Sequence, residues 1–80
     1  MTIVYIIKSI KDTSKHYVGI TNDFEKKLKE HNRGLSGYSK KYAPWKMETF
    51  ITFSNQLLAE NFEKYLKSGS GHAFLKKRLI

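Results

Sequence analysis

The 80-residue sequence predicts a small α+β domain, a three-stranded antiparallel sheet flanked by three helices in the order ββαβαα. Three observations predict it. Two short β-branched and aromatic runs stand close together near the start, separated by a polar, turn-like stretch. A third such run lies in the middle of the chain, and each later half carries apolar residues at helical spacing. There is also no internal repeat, low-complexity tract or linker, so residues 1–80 read as one domain.

The elements follow in order. Thr2–Lys8 (TIVYIIK) is nearly continuous in β-branched and aromatic residues, the mark of a strand covered on both faces. His16–Ile20 (HYVGI) is β-rich again, and the polar Lys8–Lys15 segment makes the pair a hairpin with a longish loop. Alternation puts Ile3, Tyr5 and Ile7 on one face, and Tyr17 with Gly19 on one face of the partner. Nothing in the sequence fixes whether those two faces coincide. A helix starts at Thr21–Asp23, with Asn22 as cap and Glu25 completing a capping box. Phe24, Leu28 and His31 form its stripe, Lys27 falls on the same stripe, and Asn32–Gly34 ends it. Gly34–Pro44 (GLSGYSKKYAP) reads as a basic loop carrying two tyrosines. Trp45–Phe53 reads as the third strand, with Met47, Thr49 and Ile51 alternating onto one face. A second helix runs from about Asn55 to Lys67, Ser68–Gly71 breaks it, and Gly71–Leu79 supplies a short basic third helix.

Composition narrows the function. Fifteen Lys+Arg against seven Asp+Glu give a formal charge of +8, which favours a polyanionic partner, nucleic acid first. The alternative is a lysine-rich face that only keeps the protein soluble. The absence of cysteine excludes disulfides and thiolate metal sites and fits a reducing cytoplasm. The apolar opening Ile3–Ile7 is too short to cross a membrane and has no cleavage site, so no signal peptide and no membrane span are expected.

Hydrolysis of a phosphodiester needs a base for water, positive charge on phosphate and usually a carboxylate-held metal. Glu63 is the carboxylate set beside an apolar stripe, between Ala59, Phe62 and Leu66; it is also spaced to pair with Lys67 at i+4. Tyr5, in a buried strand, must place its hydroxyl somewhere polar, and a backbone partner would suffice. His31 is either a helix-end histidine eased by the C-terminal dipole or a proton carrier. Tyr38, Lys40, Lys41 and Tyr42 form a basic-aromatic cluster able to hold a nucleic-acid backbone and stack bases.

The order of these residues is itself recognisable. Val4-Tyr5-Ile6, followed twelve residues after the tyrosine by Tyr17-Val18-Gly19, resembles the paired tripeptides of the GIY-YIG nuclease superfamily, with Val4 and Val18 as conservative replacements. Gly19 to Asn32, Pro44-Trp45-Lys46, Glu63 to Gly69 and Phe74 to Lys77 resemble the small single-domain bacterial members, which are similar to the N-terminal domain of the excision-repair protein UvrC. The resemblance covers essentially the whole chain.

What it implies is divalent-metal-dependent cleavage of DNA, in repair or processing. Tyr5 would be the base or base-relay that activates water, and Tyr17 would orient water or phosphate. Glu63 would hold one Mg²⁺ or Mn²⁺, and His31 would assist proton transfer or phosphate contact. A tyrosine base, ordinarily near pKa 10, would need a metal and a nearby cation to favour phenolate. Lys27 stands where the family has an arginine on the first helix; it keeps the charge and loses the planar fork. Lys26 projects about 100° away around the helix and is no substitute. Lys26, Arg33, Lys40 and Lys41 are the expected nucleic-acid contacts. Ser70-Gly71-His72 offers no match to the polar residue the family often carries after its glutamate helix. Two function classes follow: a metal-dependent DNA endonuclease, and a nucleic-acid-binding module that kept the fold but cuts weakly or not at all. A basic protein-binding adaptor ranks behind both. Without a fused targeting domain such a nuclease binds weakly, so a homodimer or protein partner is a further expectation.

Overall fold

The computed structural model describes residues 1–34 and 37–80. Its elements are β1 (Thr2–Ser9), β2 (His16–Thr21), α1 (Phe24–Arg33), α2 (Gly37–Tyr42), β3 (Trp45–Phe53), α3 (Gln56–Leu66) and α4 (Gly69–Arg78). The α+β architecture is the one the sequence predicts. The basic stretch expected as a loop differs: it contains the short helix α2, because the buried Trp45 indole donates to the Ser39 carbonyl (3.1 Å) and gathers the segment over the sheet. Leu35 and Ser36 of that stretch lie outside the described residues.

The sheet order is β2-β1-β3, antiparallel throughout. The central strand β1 buries Val4, Tyr5, Ile6 and Ile7 in succession, as expected of a strand covered on both faces. Val4 and Ile6 face α3 and α4, where they pack with Val18, Ala59, Leu66 and Leu75. Tyr5 and Ile7 face α1 and α2, where they pack with Trp45, Phe24 and Leu28. Register settles the question of faces: Tyr5 lies opposite Gly19 and Ile7 opposite Tyr17, so both tyrosines project from the same side.

A β-bulge sits in β3. Ile6 pairs with Thr49, and Ile7 pairs with Met47, so Glu48 is the additional residue. The bulge overturns the expected alternation of Met47 with Thr49 and Ile51. Thr49 stays on the α3–α4 side, its hydroxyl donating to the Leu79 carbonyl (2.6 Å), while Met47 and Trp45 change to the side of Tyr5.

The helix ends correct two boundaries. Asp23, not Asn22, caps α1, its carboxylate accepting from the Lys26 N–H (3.1 Å). Gly34 closes α1 in the left-handed region (φ 70°), which favours glycine, and its N–H returns to the His31 carbonyl. Ser68 caps α4 with its side chain accepting from the Gly71 N–H, so Gly69 and Gly71 lie inside the last helix and the break before it is shorter than expected.

Candidate active site

Tyr5 stands at the centre of the α1–α2 face and is 2% exposed. Its ring reaches that position across Gly19. A Cβ built on Gly19 would lie 2.3 Å from the Tyr5 Oη and 2.4 Å from Cζ, so the glycine of the Tyr17-Val18-Gly19 run makes the cradle for the phenol. Phe24 of α1 meets the same ring edge-on at 5.6 Å. With both sides filled, the hydroxyl turns to His31, whose Nε2 lies 3.0 Å from it.

His31 is held at its other nitrogen. Nδ1 is 2.9 Å from Ser39 Oγ, on α2. Both ring nitrogens are thus engaged by hydroxyls, and the tautomer with Nδ1–H donating to Ser39 and Nε2 accepting from Tyr5 is the one in which His31 faces the Tyr5 proton with a lone pair. Burial, then the nearby positive charge of Lys27, pushes the His31 pKa below its usual range, with Glu30 acting weakly the other way. At neutral pH His31 is therefore neutral and able to take a proton from Tyr5. Burial pushes the Tyr5 hydroxyl up, and its neighbours Tyr17, Glu30 and Glu63 push it further. The protein's own groups thus disfavour a phenolate at Tyr5, which is why the expected lowering of its pKa is tied to a metal.

Tyr17 lines the outer edge of the same face, 36% exposed, its ring 4.8 Å from His31 and 6.4 Å from Tyr5. Lys67 places its ammonium 5.8 Å from the Tyr17 ring centre and pairs with Glu63 (2.5 Å). The i,i+4 pairing expected for Glu63 is thus present, and it leads back to the site through Lys67. The Glu63 side chain is 16% exposed and, with Glu60, lines an open groove of about 410 Å³. Lys27 pairs with Glu30 at 3.5 Å, half-exposed, beside His31.

The fold therefore gathers Tyr5, Tyr17 and His31 in contact, with Lys27 and Glu63 within electrostatic range. The other basic candidates lie elsewhere. Lys26 and Arg33 line a groove on the outer side of α1 with Asp23, Glu25 and Glu30, where acids offset their charge. Lys40 packs beside Gly34, and Lys41 lies 5.4 Å from the Tyr42 ring centre. Sequence reasoning missed Ser39, which had no helical signal because its segment read as a loop. It also missed that Tyr38 stacks on Trp45 (5.7 Å) and meets Tyr17 (6.4 Å).

The GIY-YIG catalytic domain model matches residues 1–77. The chain belongs to the GIY-YIG family. Its Val4-Tyr5-Ile6 and Tyr17-Val18-Gly19 runs are the β1 and β2 segments that meet across the Tyr5–Gly19 pair, so the family's two motifs are one structural unit here. Among curated GIY-YIG relatives, the UPF0213 protein CPE1444 of Clostridium perfringens is 41% identical over 68 residues, covering 84% of this chain and 71% of that protein. The structure-specific endonuclease subunit SLX1 homolog of Giardia intestinalis is 32% identical over 62 residues, covering 72% of this chain and 17% of that protein. The family is one of nucleases. Among the described residues no helix is long and apolar enough to cross a membrane.

Proposed function

We propose that this GIY-YIG domain is a divalent-metal-dependent endonuclease that hydrolyses phosphodiester bonds in DNA, in repair or processing. The observation that carries the reading is the Tyr5–His31–Ser39 chain, buried at one end and opening at Tyr17 toward solvent. Tyr5 Oη takes a proton from the attacking water as its own proton passes to His31 Nε2. The histidine keeps its Nδ1 proton on Ser39. No free phenolate need accumulate, which suits a hydroxyl whose burial disfavours charge. Tyr17 orients the water or the phosphate, and Lys27 and Lys67 face the phosphate's negative charge.

The residues fit a divalent ion of one kind. Among the described residues no three His, Cys, Asp or Glu side chains come together. Mg²⁺ or Mn²⁺ would therefore be held by Glu63 and complete its shell with phosphate oxygens and water, as Mg²⁺ commonly does. When bound, it supplies Lewis-acid stabilisation of the phosphate. The name of the Giardia relative, a structure-specific endonuclease subunit, supports a substrate recognised by its structure.

The test is nicking of plasmid and flapped DNA with Mg²⁺ or Mn²⁺. Glu63→Ala and Tyr5→Phe each lower the rate by roughly 10²-fold or more, the scale of losing one main catalytic group. Wild-type activity in Glu63→Ala would overturn the assignment. The second reading, a nucleic-acid-binding module with weakened cleavage, is favoured by Lys27, whose ammonium is shared with Glu30 and offers no bidentate grip. It predicts steeply salt-dependent binding and no nicking with any metal.

A further inference from the structure

A second cluster of positive groups lies just across the β2 edge from Tyr17. His16 precedes Tyr17 and points to the opposite face, so consecutive Cα atoms about 3.8 Å apart send one side chain to each side of an edge strand. Lys8 lies directly opposite His16 in the register. From α4, the His72 ring stacks on the His16 ring at 5.5 Å and 29°, and Lys76 follows His72 by one helical turn. Four groups from three elements thus share one patch. Among the described residues, neither of the two ion pairs involves any of them. The first turn of α4 carries no acidic residue, so the positive end of its dipole adds to the patch.

The patch is fastened to the active site. The Tyr38 hydroxyl donates to the His16 carbonyl (2.8 Å), while the Tyr38 ring meets Tyr17. Lys67, one residue before the cap of α4, reaches over Tyr17. A polyanion lying along the β2 edge would meet both sets of groups.

We propose that Lys8, His16, His72 and Lys76 form a second backbone-phosphate subsite for the nucleic-acid strand, next to the cleavage site along the β2 edge, and that it grips more tightly as His16 gains a proton. This rests on the nuclease reading for its neighbouring site. The charge balance gives the direction of the pH dependence. In the free protein, burial first and then His72, Lys76 and Lys8 hold the His16 pKa below its usual range. A phosphate seated among the four groups reverses the repulsion, so binding takes up a proton below about pH 6.5 and affinity falls as pH rises. Tyr38, the other titratable group at His16, touches only its carbonyl and stays neutral across this range, its pKa being raised by burial.

The experiment is fluorescence anisotropy with a labelled flapped oligonucleotide duplex in EDTA, from pH 8 to 5.5 at constant ionic strength. The wild-type protein should tighten as pH falls, by up to about tenfold per pH unit for each proton taken up. The variant H16Q/H72Q should lose more than half of that slope. Lys8→Ala, half-buried, and Lys76→Ala, exposed, should each reduce the salt slope by about 1. An unchanged pH slope in H16Q/H72Q, or unchanged salt slopes in both lysine variants, overturns the subsite. Nicking with Mg²⁺ at pH 8 separates the two readings. Cleavage with pH-independent binding removes the subsite and leaves the nuclease; pH-dependent binding that needs His16 and His72, without cleavage, does the reverse.

Discussion

Gly19→Ala puts the cradle beneath Tyr5 to a direct test. The added Cβ would stand 2.4 Å from Cζ and 2.3 Å from Oη, so the ring must withdraw by about 1 Å to regain ordinary contact. It has no free direction, because Tyr5 is 2% exposed and Phe24 closes the other side. Overpacking of this kind costs about 1–3 kcal/mol. The same displacement stretches the 3.0 Å bond to His31, and a buried hydroxyl left without a partner adds about 1–3 kcal/mol. Against a total stability of about 4–12 kcal/mol for a domain of this size, a loss of about 2–6 kcal/mol is severe. At about 4–8 °C per kcal/mol, Tm falls by roughly 8–50 °C. The assay is thermal melting of Gly19→Ala alone and combined with Tyr5→Phe or Tyr5→Leu. Phenylalanine removes the orphaned hydroxyl but keeps Cζ and its clash, whereas leucine removes both, so the leucine combination should show the larger favourable coupling, by about 1 kcal/mol or more. A Gly19→Ala protein melting within about 2 °C of wild type, or rescued equally by both partners, would refute the reasoning.

The remaining predictions concern the groups around that pair. Trp45→Ala should cost about 3–5 kcal/mol by cavity formation and release α2, measured as a lower midpoint in urea; an unchanged midpoint would mean that Trp45 does not hold Ser39 against the site. His31 and His16 both have pKa values depressed by folding, so the stability they contribute is complete above about pH 6.5 and is lost as pH falls through their lower folded values. Melts at pH 7.5 and 5 should show Tm falling, and a Tm that rises on acidification would contradict the assignment. Nicking should decline over the same window as His31 protonates and can no longer accept from Tyr5. Lys27→Arg restores a planar fork, and one added charge-assisted hydrogen bond to phosphate should raise the cleavage rate by about tenfold; no gain would show that lysine is an adequate substitute.

How much of this was legible in the sequence depends on which interaction fixes each part. The strands β1 and β2 and the helices α1 and α3 announce themselves through local patterns, and the two tripeptide motifs place Tyr5 and Tyr17. The coincidence of their faces was not legible, because it depends on a pairing register set by the turn between the strands. The side on which Trp45 lies was hidden for a related reason: the additional residue Glu48 in β3 reverses the alternation, and a period-2 reading cannot see a bulge. Helix α2 was missed because Gly37–Tyr42 contains little apolar periodicity and owes its shape to the Trp45 contact. Ser39 was lost with it. Lys26 and Arg33 looked like neighbours of Lys27 in sequence, yet helical rotation carries them to an outer groove shared with acids.

The sheet separates two packed clusters that have few side chains in common. Tyr5, Ile7 and Trp45 occupy one, and Val4, Ile6, Leu66 and Leu75 the other. Substitutions confined to the apolar cluster under α3 and α4, away from Glu63 and Lys67, therefore meet the chemistry mainly through the backbone of β1. Such a layout lets durability be tuned on one side while reactivity is altered on the other, with effects that add rather than interfere. Since β3 contributes to both sides, a one-residue deletion near Glu48 would carry Trp45 to the opposite side and join two otherwise independent adjustments.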